Sequence, residues 1–123
     1  MNGESPIKRK SKQFAIEAVS VYKQLIGEQR EFVMSRQFVR SATSIGANVV
    51  EAECGISPKD FLAKMYVAFK ECVETLYWLD LLHETNYLTT ESYNALSSDC
   101  NEIRKILSSI TKTTAEKLNQ TKN

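Results

Sequence analysis

The sequence predicts an all-α protein, an antiparallel up-down-up-down four-helix bundle, on three observations. Apolar residues recur at intervals of three and four in four successive stretches, the spacing of one face of a helix. Short polar breaks carrying capping residues separate those stretches. Period-2 alternation, the mark of a half-buried strand, is absent, and so is any internal repeat. At 123 residues, with 42% hydrophobic and 25% charged, the chain has the size and composition of one globular domain.

Met1 to Lys10 contain Gly3, Ser5, Pro6 and the run Lys8-Arg9-Lys10 without an apolar face, so residues 1–10 are expected to be a flexible basic tail. The bundle is expected over 11–113. Ser11 can cap a first helix whose face is Phe14, Ala18, Val21/Tyr22 and Leu25 and whose pattern fades near Gly27. A polar link follows, and Phe32-Val33-Met34 is expected to pack as a lid on the end of the bundle.

Ser35 reads as the N-cap of a second helix with the core stripe Phe38, Ala42, Ile45, Val49 and Ala52. Val39, Thr43, Gly46 and Val50 form another stripe, and Ser41, Ser44, Asn48 and Glu51 a third. Nothing between Arg40 and Glu51 is ionised. A helix without a charged side is expected to touch more than its own bundle neighbours. Gly46 costs on the order of 0.5–1 kcal/mol relative to alanine in mid-helix, which points to close backbone approach. Ser41, Ser44, Gly46, Asn48 and Glu51 are therefore the candidate subunit interface. For the polar members, hydrogen bonds that fix helix register are the alternative.

Gly55 suits a helix end, and Ser57-Pro58-Lys59-Asp60 suits the start of a third helix, with Ser57 accepting the Asp60 N–H and Pro58 in the first turn. Phe61, Met65, Ala68, Cys72, Thr75, Leu79 and Leu82 then form its core stripe, to about Thr85. Tyr66, Tyr77 and Trp78 lie off that stripe, as a partner surface or as packing on the bundle's shoulder. Thr89 or Thr90 can cap a fourth helix with the seam Tyr93, Leu96, Cys100, Ile103, Leu107 and Ile110. Residues 114–123 are expected to be a fraying polar tail.

Lys+Arg 16 against Asp+Glu 15 leaves a net charge of +1, without the excess that marks a nucleic-acid protein. Local patches are the remaining route: Lys8, Arg9, Lys10 and Lys12, with Arg36 and Arg40 one turn apart, are the candidate nucleic-acid contacts. Repeated around a ring, these charges would add and could hold phosphates. The plainer role for such a run is solvation. His83 is the lone histidine, with no second ligand at helical spacing, so no catalytic, cofactor or metal site is expected and the protein reads as no enzyme. Cys54, Cys72 and Cys100 are too widely spaced for a disulfide framework; Cys72 and Cys100 fall on core stripes, and Cys54 sits near a helix end. No apolar run approaches the roughly 20 residues of a membrane helix, and the first residues lack a signal-like apolar region, so a cytoplasmic location is expected.

The motif Arg40-Ser41-Ala42-x-Ser44-Ile45-x-x-Asn48-Val49-x-Glu51, followed by Ser57-x-x-Asp60-Phe61, resembles the bacterial four-helix-bundle proteins named for the 23S ribosomal RNA intervening sequence. The resemblance runs from about Phe14 to Ile110. Relatives of that family include the accessory variability determinant of diversity-generating retroelements, a pentameric barrel that binds a reverse transcriptase and nucleic acid. It implies a homopentamer acting as a binding or scaffold protein, with structured RNA as a ligand. The alternative is an accessory subunit for a separate protein, such as a reverse transcriptase or other enzyme, with no nucleic-acid contact of its own. Many members carry a Glu-Gly-x-Gly-Arg-like turn where this chain reads Glu51-Ala52-Glu53-Cys54-Gly55. One glycine is kept and the arginine is missing, and with it the basis for a phosphate contact there.

Overall fold

In the computed structural model, which describes residues 4–121, the elements are α1 (Pro6–Gly27), α2 (Met34–Glu53), α3 (Pro58–Glu84) and α4 (Thr90–Thr121). Each helix runs antiparallel to the next. α1 packs on α2, α2 on α3 and α3 on α4, while the α1–α4 seam is much thinner.

The ends of the helices follow capping chemistry, and not always where the sequence places it. α1 starts at Pro6, before the expected Ser11, because Ser5 caps it by accepting the Lys8 N–H at 3.3 Å. Ile7, two turns before Phe14 on the same face, is only 3% exposed, so the second half of the expected basic tail, Pro6 to Lys10, belongs to the packed helix. Met1 to Gly3 lie outside the described residues. At the other terminus α4 continues through the expected tail to Thr121, beyond which Lys122 and Asn123 lie outside the described residues.

α2 departs from expectation in its cap. Its N-cap position is Val33, not Ser35, and the N–H groups of Val33, Met34 and Ser35 donate instead to the Glu31 carboxylate at 3.1, 3.1 and 2.7 Å. A carboxylate there also answers the positive end of the helix. Ser35 is buried, its hydroxyl donating back to the Glu31 carbonyl oxygen at 2.7 Å. Of the expected lid Phe32-Val33-Met34, only Met34 packs against the core, half-buried; Phe32 and Val33 are 46% and 75% exposed.

α3 opens as expected, with the Asp60 N–H donating to the Ser57 hydroxyl at 3.1 Å behind Pro58. It closes on Asn86 at φ 69, where the N–H of Tyr87 reaches the Leu82 carbonyl and that of Asn86 the His83 carbonyl. That is a Schellman turn with asparagine in the left-handed position. Thr89 then caps α4 by accepting the Ser92 N–H at 3.1 Å.

Phe14, Leu25, Phe38, Ile45, Val49, Met65, Leu79, Leu82, Ile103 and Leu107 fill the core with almost no exposed surface, on the stripes the periodicity marks. The α3–α4 seam is fixed in register by Cys72 and Cys100, whose Sγ atoms lie 3.5 Å apart. From that level α4 runs seven residues farther than α3 does toward the same end, so its last turns overhang α3 by about 10 Å.

Candidate interaction surface

The five small and polar residues singled out on α2 divide between its two neighbours. Ser41 is wholly buried against α3, its Oγ 2.9 Å from Thr75 Oγ1 and donating to the Phe38 carbonyl at 3.1 Å. It fixes helix register and is closed to any second copy. Glu51, on the same side, pairs with Lys64 at 2.9 Å. Ser44 donates to the Arg40 carbonyl at 2.7 Å and Asn48 to the Ser44 carbonyl at 2.8 Å, both half-buried along this flank. Gly46 faces the other way, toward Ser11 of α1. Close approach is thus why the glycine is there, but the approaching backbone is the chain's own.

The six basic residues do not converge either. With Gly46 beside Ser11 and the helices antiparallel, Arg36 lies roughly 20 Å along the bundle from Lys8. Three of the six are answered by carboxylates. Lys8 pairs with Glu53 at 3.7 Å, Lys10 with Glu102 at 2.7 Å, and Arg40 with Glu71 at 3.4 Å and closely with Glu74. The Glu74 hydrogen bond raises the Arg40 pKa further. Glu74 is itself held below its usual value, first by the Trp78 indole N–H and then by Arg40. Arg9, Lys12 and Arg36 are exposed and have no ion pair among the described residues.

Along the helices, two apolar strips are open among the described residues. Thr43, Gly46, Ala47 and Val50 of α2 meet Ser11 and Ala15 of α1 along a shallow groove of about 300 Å³. Beside it Ile16 is 56% exposed and Val19 continues the strip, with Lys12 and Lys23 at its rim. The other surface is on α3, where Tyr66, Val67, Val73 and Tyr77 are exposed and the acidic Asp80 and Glu84 follow. Trp78 is half-buried, edge-on to Tyr77 with 5.0 Å between centroids, so of the three off-stripe aromatics only Tyr66 and Tyr77 face outward. Ile16 and Val19 escaped the sequence reading because it followed one core stripe on α1. Their own i, i+3 spacing was the available signal.

His83 stacks on Tyr93 at 4.3 Å between centroids, and its Nε2 lies 3.1 Å from Thr90 Oγ1. Among the described residues no three His, Cys, Asp or Glu side chains are grouped to hold a metal ion. No helix is long and apolar enough to cross a membrane, again among the described residues. What the surface offers is contact area and charge.

Residues 4–109 match the family described as "23S rRNA-intervening sequence protein". The chain belongs to that family. A crystal structure of a protein of unknown function from the S23 ribosomal protein family of Bacteroides thetaiotaomicron VPI-5482 is similar to this intervening-sequence protein at 52% identity, covering 86% of this chain and 95% of that one, with a TM-score of 0.85. No curated protein matches it. The family match reaches forward to Glu4, ten residues before the expected start of the likeness at Phe14, in keeping with an intervening-sequence-protein fold in which α1 starts at Pro6.

Proposed function

We propose that the chain is a non-enzymatic binding or scaffold subunit that assembles into a homo-oligomeric ring, a pentamer, and that the ring takes structured RNA as its ligand. The observation that carries the assembly is the pair of open apolar surfaces on different sides of one bundle. The α1–α2 strip is rimmed by Lys12 and Lys23, and the α3 strip runs into Asp80 and Glu84. Two unlike patches favour head-to-tail contact, and such contacts close into rings when the rotation allows. The RNA reading rests on Arg9, Lys12 and Arg36, the three of the six candidate contacts that have no ion pair among the described residues, brought into repeated register by the ring.

A second reading is an accessory subunit for another protein, cytoplasmic like the first. It is favoured by the neutralisation of Lys8, Lys10 and Arg40, which halves the charge available for phosphate. Light scattering on the purified protein tests the ring: five times the 14.0 kDa chain mass is expected, and a monomer at micromolar concentration overturns it. Ile16→Glu and Tyr77→Glu should each shift the protein to smaller species with unchanged helical content. RNA binding that weakens with salt, and weakens further in an Arg9→Ala, Lys12→Ala variant, supports the first reading. Absence of RNA binding at low salt leaves the second.

A further inference from the structure

Cys72 of α3 and Cys100 of α4 are the two thiols that neither the packing of a ring nor its charges explain. Their sulfur atoms lie 3.5 Å apart, in reach of one another without an intervening side chain. Each also reaches the facing backbone: Cys72 Sγ is 3.2 Å from the Cys100 carbonyl oxygen, and Cys100 Sγ is 3.6 Å from that of Cys72. Mutual approach of both sulfurs to both main chains brings the two helices close at this level. A disulfide needs just such a neighbourhood, its sulfurs closing to about 2.05 Å with little backbone movement.

We propose that Cys72 and Cys100 are a modification site, a dithiol that a peroxide converts to a reversible disulfide clamping α4 to α3. One of the two, deprotonated, is the attacking group. Arg104, one turn beyond Cys100, adds a positive field that favours a thiolate in the pair. That thiolate attacks one peroxide oxygen, the O–O bond breaks, and the departing hydroxide takes a proton to become water. The other sulfur, 3.5 Å away, then attacks the sulfenic sulfur, loses its proton, and expels the second water as the S–S bond forms. Two thiols and one hydrogen peroxide give one disulfide and two waters, the two electrons passing from sulfur to oxygen.

Both side chains are fully buried, so the oxidant must be small and the reaction gated by opening of the bundle. The thin α1–α4 seam is the place for that opening, since α4 leans chiefly on α3. Exposed Cys54 should therefore react faster than the pair.

The test uses the full chain carrying Cys54→Ser, treated with hydrogen peroxide under native conditions and read by intact mass. The expected result is the loss of two hydrogens, restored by a thiol reductant. Trypsin leaves both cysteines in one peptide, Glu71–Arg104, and a second cut at Glu84 or Glu91 should leave the halves joined. A second variant, Cys72→Ala with Cys54→Ser, keeps the core apolar and should show no such loss. Oxygen added to either cysteine instead of hydrogen lost overturns the proposal. So does a disulfide that forms only in denaturant, or a native protein that peroxide leaves unchanged while it oxidises denatured chains.

Discussion

Gly46 of α2 stands so close to Ser11 of α1 that a Cβ added at 46 would lie 3.3 Å from the Ser11 hydroxyl oxygen and 3.5 Å from its backbone. Ser11 is itself buried, its hydroxyl donating to the Lys8 carbonyl at 3.2 Å. The small residue at 46 thus sets the spacing of two helices within one chain.

Gly46→Leu should accordingly weaken the folded chain, by about 1–3 kcal/mol for an overpacked contact, measured as a lower urea midpoint. Gly46→Ala should change little, because a gain of about 0.5–1 kcal/mol in helix preference opposes the cost of moving Ser11. If the leucine variant kept its urea midpoint and lost only its oligomer, the contact with Ser11 would not be what the glycine serves.

Ser41 and Ser44 should separate in the same way. Ser41→Leu forces a larger side chain into a fully buried position beside Thr75 and is expected to destabilise by about 1–3 kcal/mol. Ser44 is half-buried, and Ser44→Leu is expected to cost less than about 1 kcal/mol. Equal midpoints for the two variants would contradict the burial pattern.

Glu31 gives the fold a pH dependence. Burial pushes its carboxyl up, but hydrogen bonds from the N–H groups of Ser35, Met34 and Val33 together outweigh that, and its pKa ends below the ordinary carboxylate value. A depressed folded value means that the stabilisation is complete above the ordinary range and is lost as pH falls through the folded value. Thermal melting of the native chain should therefore drop in acid. Glu31→Gln should be less stable at neutral pH by about 1 kcal/mol, a helix cap's usual worth, and should show a shallower acid slope. Parallel curves for the two proteins would remove Glu31 as the source.

Arg40 is expected to matter little for stability and little for RNA. About half-exposed, it pairs with Glu71 and Glu74, and Arg40→Ala should cost less than about 1 kcal/mol, with the difference vanishing in high salt. If the chain takes RNA as proposed, filter binding should show that Arg40→Ala leaves the affinity nearly unchanged, whereas Arg9→Ala with Lys12→Ala should lower it. A large loss on removing Arg40 would mean that RNA displaces its carboxylate partners.

Helix content and core were legible because the periodic residues report them directly. Phe38, Ala42, Ile45, Val49 and Ala52 were readable as one face and are buried as one face. Ile7 was hidden by the basic run that follows it, since a single apolar residue two turns ahead of Phe14 carries almost no periodic signal. The Glu31 cap was hidden for another reason: its carboxylate reaches N–H groups two, three and four residues ahead, from outside the expected N-cap position. The surface was least legible. Whether Lys8 or Arg40 is free depends on Glu53 or Glu74 arriving from another helix, and no local spacing encodes that.

The overhang of α4 gives each subunit a top unlike its bottom. In a closed ring whose axis ran along the bundle, rotation would carry every copy's projecting helix end to the same side, making a crown, fringed on one rim and blunt on the other. The fringe begins past Thr114 and carries Glu116, Lys117, Asn119 and Gln120, which in such a ring would form a polar skirt around the mouth of its opening. Anything entering such a ring would meet two different doorways, and its direction of entry would be set by the length of one helix.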